Sequence, residues 1–179
     1  MIFIPTYYNR NAAVEYVRRW WDGRNPNFPA FAVDCTNFIS QCLLAGGAPM
    51  WGASNRGTGW WITGGWRSGR DGHYPNETWS YSWSVSHSLR WYLETSTRGL
   101  TAKQVSSVSE LEIGDVIFYD FQGNGVINHS TIVTSIRNGI PHVHAHTNNS
   151  ENRPYQYTNS GAYTPNIKYY FYKISDVFN

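Results

Sequence analysis

The sequence predicts an α+β fold, because helical periodicity fills its first half and strand signals fill its second half. Between Asn11 and Trp21, apolar residues recur at three- and four-residue spacing, which is typical of a helix with one buried face. Around Asn138-Gly139, a strong hairpin signal, alternating apolar residues indicate antiparallel strands. The chain has 179 residues, and we expect them to form a single domain.

The first predicted helix spans Asn11 to Trp21. Either Asn9 or Asn11 is expected to cap it, because asparagine side chains accept hydrogen bonds from the free N–H groups of a first turn. The helix ends before Asn25-Pro26, since proline cannot continue the hydrogen-bond ladder.

A second helix is predicted from about Cys35 to Leu44, with Asp34 at its N-cap and Gly46-Gly47 as a left-handed stop. The two cysteines, Cys35 and Cys42, lie seven positions apart on this helix. At ~1.5 Å per residue their Cα atoms are roughly 10 Å apart, whereas a disulfide needs less than about 7 Å. We therefore expect no disulfide between them and interpret Cys42 as a small buried hydrophobe.

Residues 49–82 hold no persistent period and carry many aromatic residues between glycines. Loops this long inside a compact domain are usually functional, so we expect an ordered insertion that walls a cleft. A third helix follows from about Ser84 to Glu94 and ends before Gly99.

The remainder of the chain predicts an antiparallel sheet against which the helices pack. A turn at Leu111 leads into a strand that reaches Tyr119. Further strands are predicted from Ser130 to Ile136, from Pro141 to Thr147 and from Lys168 to Ile174. Period-two alternation would place His142, His144 and His146 on one face of their strand.

Composition excludes several classes of partner. The net charge is +2, and Lys and Arg are scattered, so neither nucleic acid nor an anionic membrane surface is expected as a partner. No stretch is long and apolar enough to predict a membrane span. The start of the chain, Met1 to Pro5, lacks a charged n-region, so a signal peptide is not expected there. The composition predicts no particular oligomeric state.

Aromatic residues are unusually abundant: 9 Trp, 13 Tyr and 8 Phe accompany only 15% charged residues. Most of these side chains are expected to build the core, because aromatics bury more surface than other residues. The same residue types can also line a groove that stacks on sugar rings or on an extended peptide.

Cys35 and His129 are the strongest catalytic candidates. Cys35 stands at a predicted helix start, where unpaired N–H groups and a partial positive charge favour the thiolate. The thiolate is the attacking species, and an ordinary thiol of pKa ~8.5 is mostly protonated at neutral pH. His129 begins a predicted strand, and a nearby imidazole can take the thiol proton and hold a thiolate–imidazolium pair.

These residues belong to a longer pattern that resembles the bacterial putative amidase domain family. The pattern runs in order over roughly residues 7 to 150, and its most specific part is the Asp-Cys-Thr-Asn-Phe run together with the downstream histidine. The matching residues are Tyr8-Asn9-Arg10-Asn11-Ala12-Ala13, Tyr16, Asn25-Pro26, Phe28, Asp34-Cys35-Thr36-Asn37-Phe38-Ile39-Ser40-Gln41, Gly46-Gly47, Ser82-Trp83, Gly114-Asp115-Val116-Ile117, His129-Ser130, Ile132-Val133 and His146-Thr147.

This family is similar to papain-like cysteine hydrolases of the CHAP and NlpC types, which cleave amide bonds in bacterial cell walls. The resemblance implies a papain-like fold, in which N-terminal helices pack on a central antiparallel sheet or half-barrel. It also implies that the nucleophilic cysteine precedes the histidine in the chain and that the activity is amide hydrolysis.

The third catalytic position has several candidates. The resemblance marks His146, which would accept the second ring N–H of His129 and fix its tautomer. Strand register could favour His144 instead, and the amide oxygen of Asn148 could do the same work.

Three further residues are expected to contact substrate: Asp34, Asn37 and Trp83. Asp34 is also interpreted as a plain N-cap, and direct activation by it is not expected, because a carboxylate beside a thiol raises the thiol pKa. The main oxyanion donor is expected to be the backbone N–H of Cys35, with Asn37 or Tyr8 as candidates for a second donor.

Metal binding has weak support, and no cofactor is expected. The segment from Asp120 to Gly125 imitates the start of a calcium loop, but Thr131 replaces the glutamate required at the twelfth position, so a plain turn is favoured. His142, His144 and His146 could suggest zinc, but they do not form the usual helical motif.

The sequence therefore predicts a cysteine-dependent amide hydrolase whose substrate is a peptide or peptidoglycan, cleaved within its peptides or at the lactyl-amide linkage. Such an enzyme would act at the cell wall. Two alternatives are a cell-wall-binding module without catalysis and a cysteine acyltransferase with transglutaminase-like chemistry.

Overall fold

The computed structural model describes residues 4–63, 78–147 and 149–179. Four α-helices lie in these ranges, and the first two match the predicted ones to within a residue. They are α1 (Arg10–Trp20), α2 (Cys35–Ala45), α3 (Tyr81–Ser84) and α4 (Ser86–Thr95).

The strands form one large antiparallel sheet and two small pairs. The ten strands are β1 (Thr6–Tyr7), β2 (Ile62–Thr63), β3 (Thr78–Trp79), β4 (Ala102–Val105), β5 (Val116–Asp120), β6 (His129–Arg137), β7 (Ile140–Ala145), β8 (Ser150–Pro154), β9 (Lys168–Ile174) and β10 (Val177–Phe178). The large sheet has the order β4-β9-β5-β6-β7-β8, while β1 pairs with β10 and β2 pairs with β3. The predicted α+β class is confirmed.

Local sequence signals account for the first helix and the central hairpin. The side chain of Asn9 caps α1 by accepting a 3.0 Å hydrogen bond from the N–H of Ala12. Asn138 and Gly139 both adopt positive φ, 51° and 77°, as the tight turn between β6 and β7 requires.

The helix predicted from Ser84 to Glu94 is interrupted. Val85 is extended (φ −122°, ψ 122°), so a short helix ends at Ser84 and α4 begins at Ser86. The edge strands β4 and β8 were not predicted, because their residues lack the clean alternation of a half-buried strand.

The two faces of the large sheet bury different clusters. The four helices cover one face, where the main core includes Phe38 of α2, Leu89 of α4 and Ile132 of β6. The other face carries a smaller cluster that includes Tyr119 and Tyr157. The sheet therefore separates a helical layer from a second, smaller cluster of aliphatic and aromatic side chains, called the aromatic cluster below for its tyrosines and phenylalanines.

An ion pair joins the start of α1 to the sheet. Arg10 donates a 2.6 Å hydrogen bond to Asp115, which is fully buried and also accepts the N–H of Ile174 at 2.9 Å. Burial raises the pKa of Asp115, although Arg10 opposes this shift. The Gly114-Asp115 motif therefore has a structural role.

The described part of the predicted insertion is well packed. Trp60 and Trp61 are buried, and the indole N–H of Trp60 donates to the Ser40 hydroxyl of α2 at 3.0 Å. Residues 64–77 of the insertion, with Trp66 and His73, lie outside the described residues. None of the helices in the described ranges has the length and apolar character of a membrane span.

Candidate active site

Cys35 is the first residue of α2, and its side chain is almost fully buried, with 3% relative exposure. Its sulfur lies 3.5 Å from the Ser86 hydroxyl and 3.7 Å from the Thr36 hydroxyl. Both cysteines are free thiols, and Cys42 is buried in the main core as predicted. The surroundings of the Cys35 sulfur are thus polar, unlike those of Cys42.

His129 begins β6 and is hydrogen-bonded to the side chain of Cys35. Burial alone would raise the pKa of the Cys35 thiol, but the hydrogen bond and positive charge of His129 outweigh it. Hydrogen bonds from Ser86 and Thr36 act in the same direction, and together these groups lower the pKa of Cys35 to about 6. The pair that the sequence singled out lies together in the fold.

A tyrosine that the sequence did not identify completes this arrangement. Nε2 of His129 lies 2.9 Å from the hydroxyl oxygen of Tyr157, and that hydroxyl donates to Ser150 at 3.3 Å. Because the tyrosine proton is donated to Ser150, the tyrosine oxygen can accept the Nε2–H of His129. Burial raises the pKa of Tyr157, so its hydroxyl keeps its proton.

His146 does not occupy the predicted third position. Its Nδ1 bonds to a carboxylate oxygen of Asp34 at 2.7 Å, and its Nε2 bonds to the carbonyl oxygen of Trp20 at 2.6 Å. The ring also stacks on Phe38, with centroids 3.7 Å apart. Both ring nitrogens are committed to these partners, so the prediction that His146 orients His129 is corrected.

His144 and Asn148 are the two alternative residues predicted for the third catalytic position. Nδ1 of His144 bonds to the Thr134 hydroxyl at 2.6 Å, and its ring packs against Trp21 of the helical layer. Burial and the charge of Arg18 lower the pKa of His144 to about 4. Asn148 lies outside the described residues.

The side chain of Asp34 is fully buried, and both of its carboxylate oxygens have partners. One carboxylate oxygen accepts hydrogen bonds from the N–H of Phe31 at 3.0 Å and from the side chain of Asn37 at 2.9 Å. The other meets His146 and the Arg24 guanidinium, which lies 3.3 Å away. The Arg24 guanidinium therefore offsets part of the carboxylate charge next to Cys35.

The predicted substrate contacts of Asp34, Asn37 and Trp83 are also corrected, because all three side chains are fully buried and bonded within the protein. The Asn37 amide donates to the carbonyl of Pro29 at 2.7 Å and to Asp34, and its oxygen accepts the indole N–H of Trp83 at 2.9 Å. Tyr8 donates to the carbonyl of Gly114 at 2.7 Å. These polar groups support the site from behind, and none is left to face substrate.

A cluster of hydroxyls lies beside the sulfur. The Thr36 hydroxyl is 2.6 Å from that of Ser86 and 3.2 Å from that of Ser130. All three side chains are buried and come from α2, α4 and β6. Since a thiolate carries no proton, hydroxyls at this position can only donate to it.

The N-terminus of α2 is free to bind an anion. Asp34 occupies the N-cap position, but its side chain makes no capping hydrogen bond to this helix. The first N–H groups of a helix carry a partial positive charge. The backbone N–H of Cys35 can therefore donate to negative charge that develops next to the sulfur.

The residues weighed for metal binding are otherwise engaged. The carboxylate of Asp120 accepts N–H groups of its own turn, including Gly123 at 2.8 Å and Gly125 at 2.7 Å. Across the part of the chain that the structure describes, no cluster of three or more His, Cys, Asp or Glu side chains could hold a metal ion.

Comparison with known proteins gives a consistent result. A family model described as a putative amidase domain matches residues 7–172. The uncharacterized protein YhbB of Bacillus subtilis (strain 168) is 48% identical over 170 residues, which are 94% of this chain and 51% of that protein. The uncharacterized protein YjcM of the same organism is 28% identical over 162 residues, 86% of this chain and 34% of that protein.

The chain thus spans about half the length, or less, of these relatives. No solved structure matches the chain. The papain-like arrangement of the fold therefore stays a prediction.

Proposed function

Since the chain belongs to the putative amidase domain family, we propose that it hydrolyses amide bonds with Cys35 as nucleophile and His129 as base. The position of Cys35 carries this proposal: it begins α2, its sulfur lies 3.5 Å from the Ser86 hydroxyl, and its interaction with His129 helps to lower the pKa of the thiol to about 6. A thiolate paired with an imidazolium attacks a carbonyl carbon without a further activating group. Tyr157 is proposed as the group that orients His129.

Acylation begins with attack of the Cys35 thiolate on the amide carbonyl carbon. A bond forms between sulfur and carbon, and the carbonyl oxygen becomes an oxyanion that accepts the backbone N–H of Cys35. His129, as imidazolium, then gives its proton to the amide nitrogen while the carbon–nitrogen bond breaks. The amine leaves, and a thioester remains on Cys35.

Deacylation uses the same groups in reverse roles. Neutral His129 takes a proton from water as the water oxygen attacks the thioester carbon. The carbon–sulfur bond breaks, a carboxylic acid is released, and the Cys35 thiolate again pairs with imidazolium. Tyr157 would hold the His129 ring in one orientation through both steps by accepting its Nε2–H.

Peptidoglycan is the proposed substrate class. This assignment rests on the resemblance of the putative amidase domain family, to which the segment from Asp34 to Gln41 and His129 point, to papain-like hydrolases of the CHAP and NlpC types that act on cell walls. The bond cleaved would be a peptide bond of the stem or cross-bridge, or the amide between the lactyl group and the stem peptide.

The test is digestion of purified peptidoglycan followed by mass spectrometry of the soluble fragments. We expect wild-type protein to release fragments, and Cys35→Ala to release none while keeping the same thermal unfolding midpoint. Cys42→Ala is the matched control and should retain activity. Release by the Cys35→Ala variant would contradict the proposal.

The fragments also identify the reaction. A new amino terminus within the peptides indicates peptidase action, and intact stem peptides indicate cleavage at the lactyl amide. Hydrolysis incorporates one oxygen from ¹⁸O-labelled water into the product carboxylate. Transfer to an added amine without that label would replace hydrolysis by acyltransferase chemistry.

A further inference from the structure

Three hydroxyl groups from three different elements meet on one side of the Cys35 sulfur. Thr36 is the second residue of α2, Ser86 the first of α4 and Ser130 the second of β6. All three side chains are buried. Because buried hydroxyls are almost always hydrogen-bonded, the distances between them indicate where each proton goes.

The contact between Thr36 and Ser86 is the shortest of the group. Their oxygens are 2.6 Å apart, and two hydroxyl oxygens at this distance share a proton. Each hydroxyl carries one proton, so only one proton of this pair is left to reach the sulfur. The Ser86 oxygen is the nearer one, at 3.5 Å against 3.7 Å for Thr36. The geometry therefore favours Thr36 as donor to Ser86, and Ser86 as donor to the sulfur.

Ser130 stands behind this pair. Its oxygen lies 3.2 Å from that of Thr36, and at 3.4 Å it can accept the proton of Ser86. Since the Thr36 proton is committed to Ser86, the contact between Ser130 and Thr36 uses the Ser130 proton. The Ser86 proton can thus turn to Ser130 while Cys35 is a neutral thiol, and to the sulfur once the thiolate forms.

We propose that these three hydroxyls form a directed chain of hydrogen bonds whose last member, Ser86, donates its proton to the Cys35 thiolate. Ser86 is the member that touches the reacting sulfur, whereas Thr36 and Ser130 are positioning residues that act through it. This inference rests on the proposed function and deepens it, since it gives the nucleophile a second stabilising partner besides His129.

The chain stabilises the thiolate without taking part in proton transfer. A hydroxyl that accepts a hydrogen bond becomes a better donor, so Thr36 strengthens the bond from Ser86 to the sulfur. When the sulfur attacks a carbonyl carbon and loses its charge, the Ser86 proton turns back to Ser130 and stays on its own oxygen. The proton that the leaving amine needs still comes from His129.

The experiment measures the pH midpoint of iodoacetamide labelling of Cys35 in a Cys42→Ala background. Ser86→Ala should raise the midpoint by about one unit, the effect of one hydrogen bond to a charged group. Thr36→Val should raise it by only about 0.3 unit, because it weakens the bond from Ser86 without removing it. Thr36→Ser keeps the hydroxyl and should restore the midpoint. The Ser86→Ala and Thr36→Val changes together should shift it by less than the sum of their separate effects.

Ser40→Ala is the matched control. Ser40 is a buried serine of the same helix as Thr36, but its hydroxyl donates to the carbonyl of Trp83 at 2.8 Å. Its loss should leave the midpoint unchanged. Ser130→Ala tests the first link of the chain even if Thr36→Val does not fold, and it should raise the midpoint by less than Ser86→Ala does.

The outcomes separate this inference from the proposed function, because labelling of the thiol does not require an amide to be cleaved. A larger shift from Thr36→Val than from Ser86→Ala, or shifts that simply add, would overturn the chain, since Thr36 would then act on the sulfur directly. An unchanged midpoint in Ser86→Ala or in Ser130→Ala would overturn it as well. Failure of the wild-type protein to cleave peptidoglycan would reject the proposed substrate and leave the chain standing.

Discussion

The pKa of the Cys35 thiol is set by groups that act in opposite directions. Burial favours the neutral thiol, whereas His129, Ser86 and Thr36 favour the thiolate, and the second group prevails. At Cys42, seven residues further along the same helix, burial raises the pKa well above its ordinary value without such partners. The contrast shows that the polar neighbours of Cys35 lower its thiol pKa, whereas Cys42, buried in the main core, has no such side-chain neighbours acting on its pKa.

Thiol reactivity should reveal this difference through its pH dependence. A lowered pKa means that the thiolate predominates above about pH 6, so we expect iodoacetamide labelling of Cys35 to rise with a midpoint near that value. His129→Ala removes the hydrogen bond and the charge, and the midpoint should move upward towards that of a free thiol, ~8.5. The measurement is done in a Cys42→Ala background, so that Cys35 is the thiol that is labelled.

A midpoint that stays near pH 6 in the His129→Ala variant would mean that another group activates the thiol. Ser86→Ala tests the nearest one. Because a hydroxyl donor 3.5 Å from the sulfur favours the thiolate, its removal should raise the midpoint, though less than removal of His129.

Tyr157 should matter for catalysis through its hydroxyl alone. Tyr157→Phe leaves the Nε2–H of His129 without its buried acceptor, a loss of ~1–3 kcal/mol. We expect kcat/KM for amide hydrolysis to fall on the order of tenfold or more, since the imidazole is no longer held in one tautomer. The pH midpoint of Cys35 labelling should shift as well.

Tyr169→Phe provides the matched control for this change. Tyr169 lies in the same aromatic cluster, but its hydroxyl donates to the carbonyl of Gln156 and not to His129. Equal losses of activity in the two variants would assign Tyr157 a packing role only.

Among the secondary-structure elements, the start of α2 is held in place by a chain of hydrogen bonds. The carboxylate of Asp34 bonds to His146 at the end of β7, and His146 bonds to the last residue of α1, Trp20. The carbonyl of Trp20 can only accept, so Nε2 of His146 carries a proton, and the ring is well placed to pair with the carboxylate through Nδ1. Two helices and one strand are thus joined directly behind Cys35.

His146→Ala should therefore reduce stability more than it changes the chemistry. His146→Ala removes a buried hydrogen-bond partner of the Asp34 carboxylate, and a buried group left unsatisfied costs ~1–3 kcal/mol, or more when it is charged. We expect a large drop in the midpoint of urea unfolding. His142→Ala, on the same strand but half-exposed, should leave the midpoint nearly unchanged.

If His146 acted directly on His129, the His146→Ala variant would lose its activity even at a low temperature at which the protein stays folded. The residual activity of folded His146→Ala protein, measured at low temperature, distinguishes the two roles. Activity within a few-fold of wild type is the outcome that a supporting role requires.

The boundaries of several secondary-structure elements could be predicted from the sequence, whereas the partners of individual side chains could not. Helices α1 and α2 and the β6–β7 hairpin follow local rules, and Asn9, Gly47 and Asn138 act at their ends as expected. The partners of a side chain depend instead on tertiary packing. Alternation predicted that His142, His144 and His146 share one face of a strand, but the strand ends at Ala145, and the bond of His146 to Asp34 could not be predicted from that pattern.

Tyr157 is the clearest case of a residue that sequence patterns could not find. It lies after β8 in an irregular segment, and its backbone is left-handed, with φ of 63°. A tyrosine at positive φ costs of order 1–3 kcal/mol, and such residues concentrate at functional sites. Among 13 tyrosines in the sequence, no spacing distinguished this one.

Across the whole molecule, the proposed catalytic groups come from three layers. Cys35 belongs to the helical layer, His129 to the large sheet, and Tyr157 to the aromatic cluster on the opposite face. The cysteine and histidine are far apart in the chain, and neither element alone brings them together. The proposed reactivity of the thiol would consequently require that the layers be docked together.

Unfolding should therefore abolish the thiol's special reactivity in one step with the loss of tertiary structure. In a Cys42→Ala background, we expect the rate of iodoacetamide labelling near pH 6 to change over the same urea range as tryptophan fluorescence, because separation of α2 from β6 returns the thiol to an ordinary pKa. The His129→Ala protein is the control, because its thiol should not be labelled rapidly near pH 6 even when the protein is folded. We expect its tryptophan fluorescence to change on unfolding with no accompanying loss of fast labelling. Fast labelling that outlasts the fluorescence transition would mean that the helix N-terminus alone lowers the thiol pKa, and the dependence on layer docking would then be wrong.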